Sequence, residues 1–188
     1  SQLNARDGRH HLYAHRASLV VTGDGLDGAA QIEVEFDPAY QQLVFHSLGL
    51  HRDDGEFIDL LREGSLRISR RDIDHEERMY DGLHTVIGTL PGVRVGDVVS
   101  YEFSLIGDNP VFAGRLSSEF STGWHVPRCE VSHRVLWPED RPFAQRSHGT
   151  GLRLERTDTP AGPEFSLEIK AVPATHVPEI YPYWEDPM

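Results

Sequence analysis

The sequence is poor in cysteine, in basic residues and in long apolar runs, and each shortage excludes a class of protein. Cys129 is the single cysteine among 188 residues, so the chain forms no internal disulfide and no metal cage made of cysteines alone. No apolar run approaches the roughly 20 residues that a membrane-spanning helix needs. The chain starts without methionine or a signal-like stretch, which is what we expect of a piece of a longer protein.

Basic charge is scarce relative to acidic charge. The 18 Lys and Arg residues face 30 Asp and Glu residues, and the formal net charge is −12. Such a charge repels phosphate backbones and anionic lipid surfaces. We therefore expect no nucleic acid partner, and the lack of a long apolar run predicts no membrane insertion by this chain.

The common catalytic signatures are also missing. The sequence has no G-x-S-x-G elbow, Walker loop, H-E-x-x-H or C-x-x-C. Cys129 stands in phase with Val131 on an alternating stretch, which predicts an inert, buried thiol. Residues 23–28 spell G-x-G-x-x-G, but the alternating residues 32–36 follow them instead of a helix, so we interpret them as a hairpin turn and not as a phosphate loop. We expect no catalytic residue and no cofactor.

Histidines and one charged segment are the remaining candidates for chemistry. The chain has 11 histidines, and a metal site needs three or four ligands that the fold brings together. His46 and His51 are an odd number of residues apart and are predicted to point to opposite faces of a regular strand, so we expect no functional metal site. Residues 70–78 are typical of a solvated loop or short helix. A small hydrolase that uses the carboxylates between Asp72 and Glu77 is the weakest alternative.

Short alternating stretches between glycines and prolines make up most of the chain. Residues 43–51, closed by Asp53-Asp54-Gly55 and followed by Phe57-Ile58, predict a β-hairpin. The strongest strand signal lies in residues 93–105, and residues 59–62 are predicted to form one helical turn. Further strands are predicted at residues 12–22, 32–36, 65–69, 85–90, 115–120, 130–137, 152–156 and 165–169.

This pattern predicts an all-β fold. About ten short strands with no amphipathic helix of normal length are typical of an antiparallel two-sheet β-sandwich or a related barrel. The last residues, 173–188, contain four prolines, which predict an extended tail. We divide the chain into an N-terminal extension (1–11), a β-sandwich domain (12–172) and a proline- and aromatic-rich linker (173–188).

Several segments taken in order resemble the bacterial DUF3857 family. They are DPAYQQLVFHSL (37–48), MYDG (79–82), VRVGDVVSYEF (93–103), NPVF (109–112) and Trp137-Pro138. In that family the domain is an N-terminal β-rich module of unassigned function, usually followed by a transglutaminase-like domain with a Cys-His-Asp triad. The resemblance implies such a domain after the tail as the partner of this chain, and a location in the bacterial periplasm or cell envelope. It supplies no catalytic residue that maps onto this sequence.

Two functions of different classes follow. The first is a non-catalytic accessory module that packs on the adjoining transglutaminase-like, papain-like cysteine domain and positions or regulates access of its substrate. Tyr181, Tyr183 and Trp184 in the tail are then candidates for interdomain contact, because such aromatic side chains favour burial. The alternative is an independent glycan- or peptide-binding module, whose candidate ligand-binding residues are Tyr40, Tyr80 and Trp124.

Overall fold

The computed structural model describes residues 1–62, 66–70, 82–148 and 151–175. The chain divides into two compact units. The central unit is His10–Ala113, and the terminal unit joins Ser1–Arg9 to Gly114–Met188. Within the described residues, no helix is long and apolar enough to cross a membrane.

The described strands are β1 (Gln2–Asn4), β2 (His11–Leu19), β3 (Gln31–Phe36), β4 (Gln42–His51), β5 (Phe57–Asp59), β6 (Leu66–Arg70), β7 (His84–Thr89), β8 (Val98–Ile106), β9 (Arg128–Leu136), β10 (Glu155–Thr159) and β11 (Gly162–Val172). A 3-10 turn (Gly23–Gly25) and a one-turn helix, α1 (Leu26–Ala29), connect β2 to β3. A second 3-10 turn, Pro110–Phe112, follows β8.

In the central unit the strands form two antiparallel layers. One has the order β2-β8-β4-β5 and the other the order β3-β7-β6. Both layers contribute apolar side chains to one core, which contains Ala14, Ile32, Val34, Leu48, Leu50, Leu60, Leu90, Val99 and Phe103. The predicted all-β fold class, an antiparallel two-sheet sandwich with little helix, is confirmed.

Alternation of apolar and polar residues explains the layers. In β3, Ile32 and Val34 are buried while Glu33 and Glu35 are exposed, because successive side chains point to opposite faces. The predicted hairpin is confirmed as β4 and β5, whose registered pairs include His51 with Phe57.

In the terminal unit the strand order is β10-β11-β9-β1, with β1 parallel to β9 and the other pairs antiparallel. Leu3, Val135 and Phe165 form its small core. The ring of Phe143 stacks on Phe165, with 3.7 Å between ring centroids. Strand β1 therefore lies beside β9 through main-chain pairing, within a unit that joins both ends of the chain.

Three predictions of local structure are wrong. Residues 115–120 form no strand, and residues 59–62 do not form a helical turn. Residues 23–28 are not the turn of a hairpin, because β2 pairs with β8 whereas β3 pairs with β7. The long connection is compacted instead by two short helical turns, in which the amide of Ala30 donates to the carbonyl oxygen of Leu26 at 2.8 Å.

The segment at residues 93–103, which resembles the DUF3857 family, does not begin as a strand. Its first residues form a turn that is held by a buried ion pair. Asp97 is only 3% exposed, and its carboxylate pairs with the guanidinium of Arg52. The same carboxylate accepts the amide of Arg94 at 2.7 Å, and Arg52 also donates to the carbonyl oxygen of Gly92 at 2.9 Å. Because all of these partners serve the backbone turn before β8, Asp97 has a structural role.

Cys129 was predicted to be buried, and it is exposed. It lies near the start of β9, which pairs with β11. Lys170 pairs with Glu130 and Val172 with Arg128, so the register is unbroken and places Cys129 across from Ala171. Ala171 has φ of 53°, and the alternation of β11 changes there, because Ala171 is exposed and Val172 is buried. Cys129, across from this exposed residue, is exposed although it is two positions from the buried Val131.

Candidate functional site

The turn after β8, residues 107–113, is fixed to the neighbouring backbone at its first residue. Gly107 has φ of +137°, and a Cβ atom there would lie 1.9 Å from the carbonyl oxygen of Tyr40. Only glycine fits this position. The amide of Gly107 also donates to the carbonyl oxygen of His10 at 3.0 Å.

Two polar side chains fix the next part of the turn. The carboxylate of Asp108 accepts the amide of His10 at 2.8 Å. The side-chain oxygen of Asn109 accepts the amide of Val111 at 3.0 Å and so caps the 3-10 turn that starts at Pro110. The side-chain nitrogen of Asn109 donates to the hydroxyl oxygen of Tyr40 at 3.2 Å. The turn is thus joined to Tyr40 and to His10, the residue before β2.

This fixed backbone holds two apolar side chains in water. Val111 is 83% exposed and Phe112 is 50% exposed. The next residue, Ala113, has φ of 48°, a left-handed conformation that is strained for any residue with a Cβ atom. We name residues 107–113 the apolar turn.

Tyr40, predicted as a ligand-binding residue, lies beneath this turn. Asp37 organises the segment that carries it: its carboxylate accepts the amide of Ala39 at 2.9 Å, and its carbonyl oxygen accepts the amide of Gln41 at 2.7 Å. Tyr40 is half-buried, and its hydroxyl is bonded to Asn109. Two of the segments that resemble DUF3857, at residues 37–48 and 109–112, therefore meet at one place.

The other predicted site residues belong to the terminal unit or lie outside the described part of the chain. Trp124 belongs to the terminal unit, where the guanidinium carbon of Arg128 lies 5.3 Å from its ring centroid and occupies one ring face. Its carbonyl oxygen accepts the amide of Thr175 at 2.6 Å. The remaining predicted residues lie outside the described part of the chain: Tyr80, Tyr181, Tyr183, Trp184 and the carboxylates between Asp72 and Glu77.

The prediction that His46 and His51 point to opposite faces is wrong. A β-bulge between Phe45 and Ser47 adds one residue to β4, so the alternation restarts after His46. The imidazole of His46 bonds Ser104 at 2.7 Å and that of His51 bonds Ser100 at 3.0 Å. Because the two serines are four residues apart on β8, both histidines lie on the face of this layer opposite the core.

These serine–histidine pairs have the spacing of a nucleophile and its base, but they lack the rest of an active site. Among the described residues, no carboxylate is hydrogen-bonded to either imidazole as an orienting third group. No cluster of three or more His, Cys, Asp or Glu that could hold a metal ion occurs in residues 1–62, 66–70, 82–148 and 151–175. We interpret the pairs as bonds that join β4 to β8.

Two other histidines are perturbed by burial. Burial lowers the pKa of His133, although the bond from its imidazole to the carbonyl oxygen of Ser121 opposes this shift. Burial also lowers the pKa of His10, against the attraction of the Asp108 carboxylate beside it. A neutral imidazole suits His133, because one ring nitrogen donates to Ser121 at 2.9 Å while the other accepts the hydroxyl of Ser1 at 2.9 Å.

The fold defines an all-β module with two antiparallel-rich sheets. The chain belongs to the DUF3857 family, whose model, described as a domain of unknown function, matches residues 6–175. No curated protein matches the chain.

A solved structure shares the fold. It is the crystal structure described as that of a "putative protease" from Parabacteroides distasonis, with a TM-score of 0.74 and 17% sequence identity. The similarity covers 97% of this chain and 36% of that chain. The present chain thus spans little more than a third of that protein's length.

Proposed function

We propose that the chain is a non-catalytic accessory module that packs on an adjoining transglutaminase-like cysteine domain and positions or regulates access of substrate to it. The apolar turn is the observation that carries the proposal. It holds Val111 and Phe112 in water on a backbone fixed by Tyr40, His10 and Asn109. Exposing two apolar side chains to water does not stabilise an isolated domain, whereas a docking partner would bury both of them.

The energetics of docking favour a turn of this kind. Burial of apolar side chains contributes about 25 cal/mol per Å², and ordering a flexible segment on binding cancels part of that gain. The apolar turn is already ordered by its capping bonds and by the close approach of Gly107 to Tyr40. The strain at Ala113 is a second sign of selection for function, since such strained residues cluster at functional sites.

The partner follows from the family. DUF3857 modules resemble N-terminal parts of transglutaminase-like proteins. The match covers 36% of the chain of the solved structure with this fold, so most of that chain lies outside the matched part. A cysteine peptidase or transferase is therefore the enzyme that we propose for the full-length protein. A bacterial periplasmic or cell-envelope location is proposed with it, on the same family resemblance.

Deleting the module from the full-length protein tests this function. We expect the isolated chain to hydrolyse no peptide and to transfer no acyl group, because its described residues do not bring a nucleophile, a base and an orienting carboxylate together. We expect the deletion to reduce turnover of a protein substrate or the thermal stability of the catalytic domain. Catalysis by the isolated chain, or unchanged activity and stability after the deletion, would show that the proposal is wrong.

A further inference from the structure

The outer face of the central unit, which is the side of the β2-β8-β4-β5 layer opposite the core, carries a second feature. The register places Leu19, Val98, His51 and Phe57 in one row across the four strands. The next row consists of Ala17, Ser100, Gly49 and Asp59. Three of its four side chains are small, so the rings of the first row have room to lie over the second.

Both rings do lie over the second row. The imidazole of His51 bonds the hydroxyl of Ser100 at 3.0 Å, and Ser100 is only 8% exposed as a result. The ring of Phe57 covers Gly49, where a Cβ atom would lie 2.4 Å from the Phe57 ring. The two rings contact each other in a tilted arrangement, with their centroids 4.7 Å apart and their planes 39° apart.

The ring pair remains exposed to solvent on its outer side. Phe57 is 48% exposed and Leu19, in the same row, is 59% exposed. His51 is exposed as well. We name His51, Phe57 and Leu19 the aromatic shelf. A cross-strand ring pair also stabilises the β4–β5 hairpin, but that role does not require half of the Phe57 side chain to stay in water.

Polar groups continue from the shelf along the same face. His15 is opposite Glu102 in the register, and Tyr13 is opposite Ser104. Burial raises the pKa of Tyr13, and so do hydrogen bonding to Glu102 and the negative charge of the Glu102 carboxylate. His46 lies nearby on Ser104 at 2.7 Å. Donors and acceptors of both kinds thus adjoin an apolar ring surface.

We propose that the aromatic shelf binds neutral carbohydrate. A sugar ring presents C–H groups on one face, which pack on an aromatic ring, and hydroxyl groups around its edge, which pair with mixed donors and acceptors. The chain's net charge of −12 disfavours polyanionic ligands such as uronate polymers and nucleotides. The site lies apart in sequence from the apolar turn and does not depend on the docking role.

Titration of the isolated chain with defined oligosaccharides tests this site. The probes are cellohexaose, chitohexaose and maltohexaose, with hexagalacturonate as the anionic comparison and the oxidised insulin B chain as an extended peptide. We expect at least one neutral hexasaccharide to bind with Kd below about 1 mM, the weak end of specific affinity, and to shift the amide signals of His51 and Phe57.

Variants at the shelf make the result specific. Phe57→Ser should weaken binding by about tenfold or more, and Phe57→Trp should retain or strengthen it, because the larger ring gives more stacking surface. Val126→Ser, at an exposed apolar residue outside the aromatic shelf and the apolar turn, should bind like the wild type. No saccharide binding, equal binding by Phe57→Ser, or binding of the peptide alone would each overturn the proposal.

Discussion

Asp97 is a residue whose loss should destabilise the central unit. It is 3% exposed and faces the guanidinium of Arg52, whose side chain is 12% exposed, so Asp97→Ala leaves a largely buried cation without its carboxylate partner. Removing one member of a buried ion pair typically costs about 3–5 kcal/mol. We expect a loss of that size in the free energy of unfolding, measured by urea denaturation.

The matched control is Asp53, which follows Arg52 on the connection between β4 and β5. Asp53 is exposed, and Asp53→Ala should change the unfolding free energy by about 0.5 kcal/mol or less, as surface substitutions usually do. If Asp97→Ala were no more destabilising than this control, the ion pair would not contribute to stability.

His133 makes stability depend on pH. Its pKa is lowered from 6.5 by burial, so the unfolded chain takes up a proton at a higher pH than the folded chain. The stability that neutral His133 contributes is present above pH 6.5 and is lost as the pH falls through its lower, folded-state pKa. His10, whose pKa is also lowered, acts in the same direction.

We expect urea denaturation between pH 7 and about pH 5 to show this loss, with a smaller pH dependence in His133→Gln. The same change at His148, which is exposed, should leave the dependence as it is in the wild type. An imidazole titration of His133 by NMR with a midpoint above 6.5 would contradict the assignment.

The sequence predicted the burial and orientation of single side chains less accurately than it predicted the strands. The predicted burial of Cys129 was wrong at the end of the β9–β11 pair, where Ala171, on a different strand, adopts φ of 53°. The prediction that His46 and His51 point to opposite faces was wrong because a bulge interrupts β4. Neither irregularity has a signal such as glycine or proline at its position, so strict alternation was the natural expectation.

Among the structural elements, the β4–β5 hairpin depends on Gly49. A Cβ atom there would lie 2.4 Å from the Phe57 ring and 2.6 Å from the carbonyl oxygen of Ile58. The backbone oxygen cannot move without disturbing the strand pair, so Gly49→Ala should cost about 1–3 kcal/mol, the usual range for overpacking. Thermal unfolding followed by circular dichroism measures this cost.

Gly28 provides the comparison for this prediction. It lies in α1, and a Cβ atom there meets nothing within 4 Å. Gly28→Ala should be neutral or stabilising by up to about 1 kcal/mol, because alanine favours helix over glycine. Equal unfolding temperatures for the two variants would refute the packing argument at Gly49.

The strands themselves were predictable where alternation was clean. Strand β3 and the β4–β5 hairpin lie close to where the pattern puts them, because one face of each is buried in a shared core. The signal at residues 93–105 was only partly correct, since the burial of Asp97 turns the chain before β8 begins at Val98. The weak signal at residues 115–120 had no second periodic feature to support it.

For the whole molecule, the fold class and the family could be predicted from the sequence, but the candidate site could not. Tyr40 and Asn109 are 69 positions apart, and no local pattern shows that they meet. The signal that could have found the apolar turn was the resemblance itself, because the segments at 37–48 and 109–112 both belong to it. The sequence does not show that the two segments are close in space, so from the sequence they indicated only membership of a family.

Docking of the module on the rest of its full-length protein is the central claim. The direct measurement is the dissociation constant between this chain and the remainder, supplied as a separate polypeptide. We expect association, weakened about tenfold or more by Val111→Ser with Phe112→Ser, since truncation of central apolar contacts usually costs more than 1 kcal/mol each. Val21→Ser, at a residue that is 74% exposed against 83% for Val111, should bind like the wild type. No association, or equal affinity of the double variant and the wild type, would contradict the account.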